Sequence, residues 1–170
     1  GLNYPHDSFL TFTSYPISYA SAVWGSTPPT ISDFTVGYPS SYTNNINYNY
    51  IAYLFASCPG ISKVGSYIGN GTVTPREIDC GFAAGARFVL IKASTSSTAP
   101  WLVFDTSRGM TSGGSYYLIP SNTGGASNAP TTVPEDIALW IQTSSLGFTI
   151  TTTNSYINSS GQKYLYLAIA

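Results

Sequence analysis

Two stretches that read alike decide the fold: residues 34–56, FTVGYPSSYTNNINYNYIAYLFA, and residues 148–170, FTITTTNSYINSSGQKYLYLAIA. They align without a gap. Phe34 meets Phe148, Thr35 meets Thr149, Ser41-Tyr42 meets Ser155-Tyr156, Asn44 meets Asn158, Tyr50 meets Tyr164 and Ala56 meets Ala170. Each copy is a short strand, a turn rich in Asn, Ser or Gly, and a longer apolar strand, which predicts a β-hairpin in each. Asn44, Asn158 and Gly161 suit the turns because they tolerate left-handed backbone angles. Two matching hairpins sharing one apolar interior are the expected frame of the molecule.

The likeness extends outward. Gly1–Leu10, GLNYPHDSFL, runs parallel to Gly109–Leu118, GMTSGGSYYL, with one indel of six residues before the hairpins. The second copy carries ARFVLIK and WLVFDTSR immediately upstream, and the first has no counterpart. If the copies are equivalent, a WxxFDTSR-like strand precedes Gly1 in the parent polypeptide, so the chain is expected to be a fragment. Further strands are expected at 9–14, 87–93, 101–105 and 115–119, divided by Gly, Pro, Asn and Ser clusters. The stretch 134–142, PEDIALWIQ, has Pro and acidic residues where a helix begins and predicts one short helix, or else a strand around 137–141. With no crossover helices, the expectation is all-β: an antiparallel β-sandwich, jelly-roll or concanavalin-like, with an internal duplication. It is expected as a single domain of two related halves, a truncated first repeat at 1–56 and a second at 57–170.

Composition narrows the function. Charged residues make up 8% of the chain and the net charge is −1, with six scattered Lys and Arg, so phosphates and anionic membranes have nothing to bind. No apolar run nears the roughly 20 residues of a transmembrane helix. A polar, uncharged surface with 14 Tyr suits hydroxyl-rich ligands, though Tyr and Thr are also good strand residues.

Catalytic patterns fail one by one. The single histidine, His6, is followed by Asp7, which on a strand faces the other side, and there is no G-x-S-x-G elbow. Glu77 and Asp79 share a strand face, but Arg76 and Arg87 nearby make a surface ion-pair cluster the better reading than a glycosidase pair. The Gly65–Gly71 stretch lacks the Lys and helix of a phosphate loop, and Asn70-Gly71 is read as a hairpin turn. Lys92 and Asp105 are expected to meet across a hairpin. Cys58 and Cys80 are candidates for a disulfide, the default being free thiols. No cofactor is implied; Ca²⁺ held by loop oxygens stays open, without an EF-hand string.

The ordered strings YIAYLFA, SCPGISKVGSYIGNG, IDCGF, ARFVLIK, WLVFDTSRGM, GF and NSSGQKYLYLAIA resemble a repeat domain of tail-fibre-like and other structural proteins of tailed bacteriophages, many from marine and cyanobacterial viruses. The resemblance covers 34–170. The chain departs from the pattern at Ala83-Ala84-Gly85-Ala86, where the family usually carries Pro, and at Ala93, where Arg is common; loop functions do not transfer. The resemblance implies a virion module on the particle surface, and with the tyrosine-rich, uncharged composition the expectation is a non-enzymatic module, homo-oligomeric beside other virion proteins and binding a host-surface or environmental glycan. Tyr38, Tyr42, Tyr48 and Tyr156 are the candidate stacking rings, and Trp24, Trp101 and Trp140 are expected in the core. The rivals are a capsid-decoration or fibre-spacer protein without a ligand and, more distantly, a glycan hydrolase.

Overall fold

The protein is described from a computed structural model, over residues 8–10, 18–19, 21–37, 42–96, 98–111, 117 and 140–170. The chain divides into two compact units, one of residues 1–11 and 17–54 and one of residues 12–16 and 55–170.

The second unit is all-β. A four-stranded antiparallel sheet runs in the order β3 (Ser62–Ile68), β9 (Lys163–Ile169), β5 (Phe88–Ala93), β6 (Leu102–Asp105). A three-stranded antiparallel sheet runs β4 (Arg76–Asp79), β8 (Gly147–Ile150), β7 (Ile141–Thr143). β5, β6, β8 and β9 form where the sequence is apolar and β-branched or aromatic, and the inner faces of the two sheets meet in one core. Val89, Ile91 and Phe104 come from the first sheet, and Ile141, Phe148 and Ile150 from the second. Phe148 of β8 stands edge-on to Tyr166 of β9 with centroids 5.4 Å apart, so the two sheets touch through aromatic rings.

Several sequence expectations change here. The second copy is not a hairpin. Its first strand, β8, lies in one sheet and its second, β9, in the other, joined by a helical turn, α2 (Ser155–Asn158). Asn154 caps that turn by accepting from Tyr156 N–H at 2.8 Å. The buried Asn158 holds the corner: its Oδ1 accepts from Asn70 N–H, and its Nδ2 reaches Asn70 Oδ1, Thr72 O and Thr152 O at 2.6–3.0 Å. Nor is Asn70-Gly71 a hairpin turn, because β3 pairs with β9 and β4 with β8. The segment instead docks on the corner, with Gly71 N–H donating to Asn158 O.

β5 and β6 do pair, but Phe88, not Lys92, sits opposite Asp105. Lys92 is fully buried and donates to Ala99 O at 2.6 Å, while Asp105 caps the 3-10 turn Thr106–Arg108 and pairs with Arg108. Arg76 does not join an ion-pair cluster with Glu77 and Asp79. Its guanidinium donates to Ile68 O and lies 5.9 Å from the Tyr67 ring centroid. Of the stretch 134–142, residues 134–139 lie outside the described residues and Ile141 begins a strand. Cys58, exposed before β3, and Cys80, buried after β4, are free thiols.

The first unit differs. It contains the two-residue pair β1 (Ser8–Phe9) and β2 (Ser18–Tyr19) and the turn α1 (Ser21–Trp24). Its copy of the repeat forms neither expected strand: residues 34–36 and 50–56 belong to no ladder. The two copies therefore adopt unlike conformations, and the expected pair of hairpins around one interior is not what the chain builds.

Candidate functional site

A broad apolar concavity lies in the first unit. It is a groove of about 760 Å³ whose walls include Trp24, Pro29, Phe34, Val36, Tyr42 and residues 50–54. Local contacts tie together the segments that carry it. Gly37 N–H donates to Val23 O at 2.9 Å, Thr43 Oγ1 donates to the same carbonyl at 3.0 Å, and Phe9 packs on Tyr42 with centroids 5.2 Å apart. Trp24, expected in a core, is only half-buried and lines this groove.

One wall is made by residues 50–54, and Phe55 follows them in the chain. Ile51 is 81% exposed, Tyr53 80%, Leu54 73% and Phe55 60%. Six consecutive residues that read YIAYLF thus face solvent without strand partners, an arrangement apolar side chains rarely keep on a soluble surface.

The turn before them is shared with the second copy. Asn45 N–H donates to the Tyr50 hydroxyl at 3.0 Å, as Ser159 N–H donates to the Tyr164 hydroxyl at 2.9 Å. Tyr48 N–H reaches Asn45 O at 3.3 Å, as Gln162 N–H reaches Ser159 O at 3.1 Å. Asn47 takes a positive φ of 75° and Gly161, its counterpart, one of 76°. The same turn and the same tyrosine clamp are built twice.

Of the four tyrosines singled out from sequence, Tyr42 lines the groove, and Tyr48 is exposed in the same unit without lining it. Tyr156 is partly buried against the core of the second unit, and Tyr38 lies outside the described residues. The fold does not gather them into one site. Sequence reasoning missed Tyr50 and Tyr53 as surface residues because their run was read as a strand, and strand propensity says nothing about whether a partner is present.

Other reactive groups are committed elsewhere. Burial is the main cause pushing the Cys80 thiol up to about 11 and the neighbouring Tyr166 hydroxyl up to about 12. Burial likewise raises Tyr67 and Tyr164 and lowers Lys92. The Asp79 carboxylate accepts from Gly81 N–H at 2.7 Å, and Asp33 accepts from the Ser32 hydroxyl at 2.7 Å. Among the described residues no three His, Cys, Asp or Glu side chains gather as metal ligands, and no helix is long and apolar enough to cross a membrane. His6, Asp7, Glu135 and Asp136 lie outside the described residues.

The model of a family described as a domain of unknown function (DUF7483) matches residues 6–170. No curated protein and no solved structure matches the chain.

Proposed function

From the premise that the chain belongs to the DUF7483 domain family, we propose that it is a non-catalytic structural module of a bacteriophage particle, assembled with like units through the apolar surface of its first unit. The observation that carries the assembly role is the run Tyr50–Ile51–Ala52–Tyr53–Leu54–Phe55, exposed and unladdered beside an apolar groove. Such a surface is stabilised by burying it against protein, at roughly 25 cal/mol per Å² of apolar area. The particle itself is argued from the resemblance to tail-fibre-like repeat domains. The low charge of the chain fits a surface kept in solution by hydroxyls and amides rather than ions.

In this role the partners are other virion proteins and further copies of the unit, and the location is the outside of the particle. An antibody raised against the chain should label purified phage particles from a lysate that encodes it. Labelling confined to the soluble fraction would overturn the role.

A second reading, adhesion to a host or environmental glycan, draws on the groove aromatics Trp24, Tyr42, Tyr50 and Tyr53, whose ring faces suit stacking on sugars. A glycan array probed with the full chain separates the two. Specific glycan signals lost in Tyr42→Ala and Tyr53→Ala would favour adhesion; none at high micromolar chain, with self-association present, favours assembly.

A further inference from the structure

We infer that residues 49–55 are a donor strand, which completes the four-stranded sheet of a neighbouring unit of this family by entering between that unit's β3-like and β5-like strands. The inference rests on the assembly reading above and names the partner and the mode of contact.

Four observations converge. The first is identity of pattern: residues 49–55, NYIAYLF, occupy the repeat positions of β9, KYLYLAI. The second is what β9 does. It is hydrogen-bonded on both edges, with Lys163 to Ile169 facing Ile68 to Ser62 of β3 on one side and Tyr164 to Ile169 facing Ala93 to Phe88 of β5 on the other. A strand of this repeat position is therefore a central strand, and β9 carries apolar side chains on both faces, Tyr164, Tyr166 and Ala168 on one and Leu165, Leu167 and Ile169 on the other.

Residues 49–55 have that two-sided character. Tyr50, Ala52 and Leu54 hold the positions of the core-facing Tyr164, Tyr166 and Ala168, and Ile51, Tyr53 and Phe55 those of Leu165, Leu167 and Ile169. Third, among the described residues no ladder partner accompanies them, and the β3–β5 slot of this chain is filled by β9. Fourth, the turn that launches β9 is already formed ahead of them, clamped by Tyr50 as β9's is by Tyr164. The segment is aimed and preorganised, which lowers the entropy cost of adding a strand to a sheet edge.

The partner's chemistry can be specified further. In this chain Tyr166 lies over Gly65 of β3, so closely that a Cβ there would meet the ring at 2.6 Å. The donor strand carries Ala52 at that position. Its cognate β3 should then carry a side chain where this chain has Gly65, filling the space the tyrosine takes here.

The test uses the full chain in two forms. In the first, residues 163–169 are replaced by NYIAYLF. Compatibility with a β3–β5 slot predicts a chimera that keeps native-like near-ultraviolet circular dichroism and unfolds cooperatively, where a chimera with the same seven residues shuffled does not. It further predicts that Gly65→Ala raises the chimera's midpoint while lowering that of the unaltered chain. A grafted chain as disordered as the shuffled one overturns the inference.

In the second form, Leu165→Pro and Leu167→Pro remove β9 from its ladder, because proline cannot donate to it. The open slot should then take residues 49–55 of another molecule, giving head-to-tail oligomers by analytical ultracentrifugation. Adding Ile51→Pro and Tyr53→Pro should weaken that association at least about tenfold. Oligomers indifferent to those two changes, or a monomer, whether folded on its own 49–55 strand or not, overturn the neighbouring unit as occupant. None of these outcomes bears on whether particles are labelled by the antibody, so failure of the donor strand and failure of the virion role are told apart.

Discussion

In the first copy of the repeat the Tyr50 hydroxyl accepts a backbone N–H at 3.0 Å, and in the second the Tyr164 hydroxyl does the same at 2.9 Å, yet Tyr50 is 47% exposed and Tyr164 is fully buried. The residues that follow diverge completely. After Tyr164 the chain becomes the central strand of a sheet, and after Tyr50 it runs unpaired along the wall of a groove. The difference is one of partners, not of local preference. The second copy has β3 and β5 to receive it, with the turn of 69–71 locked onto Asn158 and Gly161. The comparison teaches that a short stretch can carry its turn with it but must borrow its strand.

The sharpest way to break this contrast is to truncate both tyrosines. Tyr164 also donates to Ser155 O at 2.8 Å and stacks on Tyr67 with centroids 5.1 Å apart, so Tyr164→Ala should cost about 3–5 kcal/mol in denaturant unfolding. Tyr50→Ala should cost less than about 1 kcal/mol in the same chain. Equal losses would mean the first copy is packed as well as the second.

Next in size is the pair Gly147 and Asp33, which share a repeat position. A Cβ at Gly147 would meet Ile78 O at 2.2 Å, whereas Asp33 carries its side chain in the open. Gly147→Ala should lose about 1–3 kcal/mol of stability, read by thermal unfolding. Asp33→Ala should stay within about 0.5 kcal/mol.

The asparagines sharpen the comparison further. Asn158→Ala removes the buried side chain that ties Thr72 O, Thr152 O and Asn70 N–H together in a part-buried corner, a loss of about 1–3 kcal/mol. Asn44→Ala, at the equivalent turn of the first copy, should lose less. Faster amide exchange at Asn70 and Gly71 in the Asn158 variant would locate the damage.

The last comparison is the response to alkali, which should report the second unit. Cys80 and Tyr166 are raised by burial from 9.0 and 10.0 to about 11 and about 12. Their contribution to stability is therefore complete below pH 9 and is lost as pH climbs through 11 to 12, since the unfolded chain releases these protons first. Lys92, lowered by burial, acts the other way as pH rises toward 10.5, because the unfolded chain is then the one holding the extra proton. With the phenols of Tyr67 and Tyr164 also raised, the net expectation is falling stability above about pH 10. Far-ultraviolet circular dichroism against pH checks this, and Cys80→Ala should move the onset upward.

Much of the architecture was legible in advance. The runs around 88–93, 102–105, 147–150 and 163–169 announce themselves as strands by apolar, β-branched and aromatic content, and all four are strands within a residue or two. The β5–β6 hairpin was legible too, though not its register, because Lys92 was assumed to seek a carboxylate and is instead buried against Ala99 O. Less of the candidate site could be read. Tyr42 was found, but Trp24 was assigned to a core and the run at 50–55 to a sheet, because hydrophobicity records the wish for a partner and not its presence.

What the sequence determined by itself is therefore short in range. The strand-forming runs and the left-handed turn at Gly161 depend on residues within about six positions of each other, where side-chain chemistry and backbone sterics suffice, whereas Asn44 and Asn158, expected at such angles, do not take them and Asn47 does. Only the tertiary structure decided that the second copy turns a corner between two sheets, that Cys58 and Cys80 stay apart, and that one of two kindred strands is buried while the other stands open. The reason is that a strand satisfies its backbone only through neighbours far away in the chain, and two like sequences with different neighbours must end in different places.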